Sequence, residues 1–408
     1  MAEGTLGRTK TGFGEFIVLM ALLTSLTALS IDTMLPALPQ IGRDLGVIRE
    51  NDTQMVVSLV ILGLAIGQLL YGPLSDSVGR KPAIYAGIGL YSVGCLLSLF
   101  ATSFSVLLAG RLLQGLGAAG PRVVTIALVR DQFSGRAMAR VMSFIMSVFI
   151  IVPAVAPSLG QGILLIAPWR AIFALFLALA LTTVIWFALR QPETLPTERR
   201  TPFSFKKMAS AFYTVCATPA ALGYTIAAGL IFGAFVGYLN SAQQIFQVQY
   251  GLGTTFPLYF GAVALAIGGA SLVNGRIVIR YGMRVLINRS CLSLSMLSIA
   301  FFAVSYRFGG HPPLWMLMTY CLSAFFCVGI LFGNLNASAM EPLGSIAGVG
   351  AAVVGSLSSL ISVALGTLVG QAYNNTVLPL VGGFALFGSG AVIVMEWTER
   401  RRERAEIA

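Results

Sequence analysis

Histidine occurs once in these 408 residues, and only 10% of the chain is Asp, Glu, Lys or Arg. The single His311 stands beside Pro312 and Pro313 and reads as a loop residue, which leaves no material for an imidazole relay or an imidazole-rich metal centre. The five cysteines (Cys95, Cys216, Cys291, Cys321 and Cys327) keep no metal-ligand spacing and fall within or near apolar runs, where they read as small packing side chains. Fifteen acidic residues face 26 basic ones, and one acid alone sits deep in an apolar run. An intramembrane hydrolase needs a Ser/His set, a metal or paired acids, and none is offered. An enzyme is not expected, and neither is a cofactor.

What the chain has is hydrocarbon. It is 57% hydrophobic with a mean hydropathy of +0.86, a composition that no soluble domain of this length carries. Residues 208–275 and 342–395 contain no charge at all. Each run holds two spans of about 20 residues joined by a polar link, at Gln243–Gln247 and Tyr373–Asn375. Repeating that reading gives twelve spans, roughly 14–37, 53–75, 82–101, 104–128, 138–163, 170–189, 217–245, 256–279, 285–305, 313–338, 346–372 and 377–396. The fold class expected is therefore an all-α membrane protein of twelve helices. The first span is too long for a cleaved leader and, flanked by Arg8 and Lys10, reads as an uncleaved helix.

Charge sets the orientation. With both termini cytoplasmic, twenty Lys and Arg residues, Arg8, Lys10 and Arg404 among them, fall on the inner side. Only Arg43, Arg49, Arg170 and Arg307 fall outside. The formal charge of +11 then answers to topology and anionic headgroups, with no nucleic-acid partner required. The longest polar stretch, 190–216, divides the chain into an N-terminal six-helix half (1–189), a cytoplasmic linker and a C-terminal half (217–408). Part of that linker reads as an amphipathic piece on the membrane surface. Gly72 and Gly79 recur 203 residues later as Gly275 and Gly282, with Lys81 matched by Arg284, so the halves read as a parallel repeat.

Gly72-Pro73-Leu74-Ser75-Asp76-Ser77-Val78-Gly79-Arg80-Lys81-Pro82 links the second and third spans. The pattern G-x-L-x-D-x-x-G-R-K at this place resembles the hallmark loop of the major facilitator superfamily. Arg111-Leu112-Leu113-Gln114-Gly115-Leu116-Gly117-Ala118 resembles the fourth-helix motif of its proton-coupled members. Pro153, Pro157 and Gly160 in the fifth span resemble the antiporter motif, with Ala156 where its glycine is expected. With Asp32 and Leu35-Pro36-Ala37-Leu38-Pro39, these run in the order of the twelve-span drug:proton antiporters, nearest the Bcr/CflA-like branch.

The resemblance implies two pseudo-symmetric halves that alternate access, in a bacterial inner membrane, with a proton as the coupling ion. It implies that Asp76 latches the outward-open state at the start of the eleventh helix, that Arg111 serves proton coupling, and that Asp131 meets Arg80 at the cytoplasmic face. The family usually places Arg directly after the latch Asp; here Ser77 stands there, so another Arg must complete the latch or the latch is weak. Pro153, Pro157 and Gly160 would make the fifth helix a gate, or merely a kinked helix.

Asp32 itself is read from physics. An ionised carboxylate inside a span costs about 3 kcal/mol, so such residues usually face a cavity, and protonation removes the charge. The competing reading puts Asp32 at the interface as a helix-end residue. Arg111, Gln114, Ala118, Arg122 and Thr125 share one helical face, and Arg111 lies at a depth similar to that of Asp32, which allows a proton-sensitive pair or a purely structural one. Arg122 either lines the inner half of the cavity or pairs with Asp131. Substrate contacts are expected from Asp32, Gln114, Arg122, Phe232, Tyr238, Asn240, Asn334 and Asn336. The function expected is efflux of small, largely hydrophobic drugs by proton antiport, from a monomer. A sugar or metabolite exporter, a proton symporter, and a non-transporting receptor are the alternatives.

Overall fold

The computed structural model describes residues 12–407, with side chains at Phe149, Ser345 and 403–407 excepted; Arg8, Lys10 and the Arg404 side chain lie outside that description. Among the described residues, twelve helices are long and apolar enough to cross a membrane. In chain order they are α1 (Phe13–Asp32), α2 (Met55–Val78), α3 (Arg80–Leu99), α4 (Phe104–Gln132), α5 (Gly135–Leu164), α6 (Arg170–Arg190), α7 (Pro219–Ala242), α8 (Phe256–Tyr281), α9 (Met283–Arg307), α10 (Leu314–Met340), α11 (Ala347–Gln371) and α12 (Leu378–Ile407). No strand occurs among the described residues, as hydrocarbon demands: only helices satisfy their backbone within one segment. The protein is an all-α membrane protein with the twelve spans the charge-free runs predict.

Among the helices that extend beyond their regular stretch are α1 and α7. α1 passes through a 3-10 turn, Leu35–Ala37, into Leu38–Asp44, and α7 runs on as a π-helical turn, Gln243–Gln249. Both extensions lie at the end of the bundle remote from the basic loops, called here the far end. The basic end carries the one-residue turns α2–α3 and α8–α9. Gly79 has φ +107° and Gly282 has φ +77°, a left-handed backbone that glycine adopts without a Cβ penalty. Two long helices can therefore reverse direction on a single residue, at positions 203 residues apart.

Small residues let the helices approach closely, the main source of association where lipid removes the hydrophobic drive. A Cβ on Gly115 of α4 would run into the Val60 carbonyl of α2, and one on Gly117 into the Tyr91 backbone of α3. The first six helices pack mainly on each other, as do the last six. The two sets meet where α2 lies on α11 and α5 on α8. Between them runs the linker, a 3-10 turn at Thr197–Arg199 and then a helix, Phe205–Ala217, whose Ser204 hydroxyl accepts from Lys207 N at 3.3 Å.

Candidate coupling and substrate site

Asp32 ends α1 deep in the far half of the bundle and is 5% exposed, with no ion pair among the described residues. Its environment is built by close packing. Gly160 of α5 sits so tightly on α1 that a Cβ there would meet the carbonyl oxygen of Thr33. Opposite, in the other half, Tyr238 of α7 lies within electrostatic reach of Asp32. Its ring is fixed by Phe325 at 4.5 Å, Phe260 at 5.6 Å and Phe246 at 6.3 Å, and its buried hydroxyl has no hydrogen-bond partner among the described residues. A buried carboxylate and a buried phenol, both unpartnered and borne by different halves, are expensive unless something polar is meant to reach them.

Arg111 is not joined to Asp32. Its guanidinium is fully buried on α4 and donates to the Ser30 carbonyl of α1 (2.6 Å), the Val56 carbonyl of α2 (2.9 Å) and the Gln114 side chain (2.7 Å). The Phe173 ring lies 5.7 Å away. Gln114 in turn donates to the Cys95 sulfur at 2.9 Å, and Tyr91 meets the Ser30 hydroxyl at 2.7 Å. Arg111 is thus a hub tying four helices of one half, and it reaches Asp32 only through the backbone two residues earlier. Gln114 spends its amide inside this knot, away from any substrate. Arg122 is half-buried on the same helix, and Asp131, one acceptor considered for it, is held by Arg80 and Thr194.

The other polar candidates separate. Asn240 belongs to the contact between halves, with Ser58 of α2 at 3.0 Å and the Gly366 carbonyl of α11 at 3.2 Å. Asn334 pairs with Asn274 of α8 at 2.8 Å, while Asn336 turns back on the Phe332 carbonyl of its own helix. Phe232 is half-buried against Phe332, with ring centres 4.8 Å apart. Pro153 and Pro157 lie within the continuous helix α5, which packs on α8 so closely that a Cβ on Gly261 would run into the Ala154 carbonyl.

At the basic end Arg80, 3% exposed, donates to Asp131 of α4 at 2.8 Å and to Asp76 of α2 at 2.6 Å. Ser77 bonds back to Leu74, so Arg80 supplies the guanidinium that position 77 lacks. Asp76 also lines a cleft of about 540 Å³, and Gly72 nearby leaves room for a Cβ before Ala352 of α11 is met. Across the cleft lie Ile346–Val349 at the start of α11, and Lys206 and Lys207 of the linker helix. Arg284 and Glu341 form the corresponding pair in the second half, at 3.5 Å.

Sequence reasoning missed Glu193 of the linker. Its carboxylate accepts from the backbone N–H of Arg80 and Lys81, both at 3.0 Å, and from Thr194 and Leu195 at 2.9 and 3.0 Å. It caps the start of α3, a contact 113 residues away in sequence that no local pattern announces.

A family model described as Major Facilitator Superfamily matches residues 20–367. An uncharacterized MFS-type transporter, YdgK, of Bacillus subtilis strain 168 is 30% identical over 384 residues, 91% of this chain and 94% of that one. The bicyclomycin resistance protein homolog of Haemophilus influenzae is 29% identical over 93% of this chain and 94% of its own. Among solved structures, a peptide transporter POT in complex with sulfate superposes with a TM-score of 0.74 over 97% of this chain and 96% of that one, at 13% identity. Matched helices, the shared turn motif and a family model spanning most of the sequence converge: the chain belongs to the major facilitator superfamily.

Proposed function

We propose that the protein exports small, largely hydrophobic drugs or toxic compounds across the bacterial inner membrane in exchange for protons, as a monomer working by alternating access. The observation that carries this reading is Asp32: a carboxylate 5% exposed and, among the described residues, without an ion pair, within electrostatic reach of Tyr238 of the opposite half. The names of the drug-resistance relatives support outward transport and a drug-like substrate class. The basic end faces the cytoplasm, since positive residues are retained there.

In this mechanism Asp32 alternates between two forms. Protonated, it is neutral, and the carrier returns inward without moving a bare charge through a low-dielectric site. Substrate entering the shared cavity from inside favours loss of that proton, and by reciprocity the proton favours release of substrate. Arg111 holds the α1 backbone that carries Asp32. The driving force is adequate: one charge through 100 mV supplies about 2.3 kcal/mol. A pH difference of one unit adds about 1.4 kcal/mol. Together they sustain a gradient of somewhat under a thousandfold for a neutral compound.

The test is a compound screen for substrate-triggered proton release in everted vesicles, wild type against Asp32→Asn. Wild type should release protons with some compounds and Asp32→Asn with none, while the variant still folds and binds some neutral ligands. Full proton-driven export by Asp32→Asn would place the coupling proton elsewhere. Accumulation of a sugar or metabolite instead of drug export would favour a nutrient carrier.

A further inference from the structure

At the far end the two halves are joined by a continuous set of uncharged hydrogen bonds. Asn51, in the 3-10 turn Glu50–Gln54 before α2, is at its centre. Its Nδ2 donates to the carbonyls of Gln371 (3.1 Å) and Tyr373 (2.8 Å), and its Oδ1 accepts from Gln244 at 2.9 Å. Its own carbonyl accepts from Gln371 Nε2 at 2.8 Å. Gln54 donates to the Gln244 side chain. Deeper, Ser58 bonds Asn240 and accepts from Thr367 at 3.0 Å. Asn51, Gln54 and Ser58 belong to the first half; Asn240 and Gln244 on α7, and the end of α11, belong to the second.

The charged groups at this end stay out of the joint. Arg49 is paired with Asp52 three residues on, at 3.0 Å and mostly in solvent. Glu50 lies within electrostatic reach of Tyr373, whose hydroxyl is committed to the Gln244 carbonyl at 3.3 Å. His311 is exposed and bonded to Gly309 in its own loop. Asp44 is held by the Trp169 indole at 2.8 Å. No ion pair crosses between the halves at this end among the described residues.

From this arrangement we infer that Asn51 is the pin of an outer gate made wholly of amides and hydroxyls, which opens and closes without any group in it changing charge. The π-helical turn Gln243–Gln249 is suited to release it. A π-turn holds one residue more than an α-turn, and expelling that residue swings Gln244 by about 100° off Asn51. The gate rests on the alternating-access reading, and it assigns pH sensitivity to the cavity alone: protonation is sensed at Asp32, and the seal above it is indifferent to pH.

The test reads gate position, independently of transport. Spin labels at exposed Ile48 and Asn374 report the far-end distance in the full chain, in the Asp32→Asn background so that the cavity cannot titrate. Asn51→Ala should raise the ratio of open to closed molecules about tenfold or more, because three side-chain bonds are lost together. The open fraction without that change should be equal at pH 6 and pH 8. Asn51→Asp should make the gate pH-dependent. The ionised acid cannot donate to the Gln371 and Tyr373 carbonyls and opens the gate as pH rises; the protonated acid can donate, and closes it. An unchanged distance distribution in Asn51→Ala, or a gate that titrates with Asn51 intact, overturns the inference. Either result leaves the export reading to be judged by the proton-release assay.

Discussion

Replacing Glu193 measures how firmly the linker is built into the first half. Its two carboxylate oxygens satisfy the first N–H groups of α3, two of the four that any helix start leaves without internal partners. They also close the linker turn through Thr194 and Leu195. Loss of a cap costs about 1 kcal/mol. Loss of a negative charge at a helix N-terminus adds about 0.5 kcal/mol, and the turn bonds about 1 kcal/mol more. Glu193 is half-buried, so water recovers part of this, and Glu193→Ala should cost about 2 kcal/mol in all. Glu193→Gln keeps one acceptor oxygen and should cost about 1 kcal/mol. Unfolding of the purified protein in mixed micelles with rising SDS gives the ranking directly. Proteolysis of the linker gives the location, since residues 194–201 should become cleavable in Glu193→Ala before the bundle unfolds. Equal stability of wild type and Glu193→Ala, with the linker equally protected, would refute the cap.

Three further outcomes follow from the same contacts. Asp76→Asn should shift molecules toward the state open at the basic end, read by spin-label distances across the cleft, with stability changed by under about 1 kcal/mol because Asp76 is 42% exposed. An unchanged distance would mean that this acid does not latch α11. Arg111→Lys keeps the charge but loses the fork that reaches three acceptors, and should cost about 2 kcal/mol in the SDS assay and depress export. Retention of both would show the hub to be dispensable. Gly160→Ala must push α5 off the Thr33 carbonyl, for about 1–3 kcal/mol. Because the displaced backbone is next to Asp32, drug affinity should fall with it; a fall in stability alone would separate the packing from the site.

The spans were legible because hydrocarbon imposes its demand locally. A run as long as 208–275 lacks charge because most of it is spent on two membrane spans, and a Gly–x6–Gly link between apolar runs leaves room for little but a reversal. Depth along a helix was legible too: Arg111 and Gln114, three residues apart, do bond at 2.7 Å. What the sequence does not carry is which neighbour a helix face meets. Arg111 and Asp32 share a depth, yet the guanidinium is spent on carbonyls of α1 and α2. Asn334 and Asn336, two residues apart, both bond back to α10, and only Asn334 also reaches α8. Asn51, Gln54 and Gln244 carry no local signal, since a neutral amide at a span end is equally at home in water. Their meaning lies in a pairing across 190 residues that only the assembled bundle brings about.

The one-residue turn at Gly79 also decides what can move. Two helices of 24 and 20 residues joined through a single glycine, with Arg80 clamped on both sides of it, cannot slide along each other by even one turn without breaking the joint. α2 and α3 are therefore tied in register at the basic end, and Gly282 ties α8 to α9 in the same place. Each pair contributes one helix to the contacts between the halves, α2 against α11 and α8 against α5. Displacement between the halves is therefore carried by these two contacts, with the register of each pair held at the basic end. Compliance must then sit where the chain is slack: in the linker beyond Leu195, and in the extensions that follow α1 and α7.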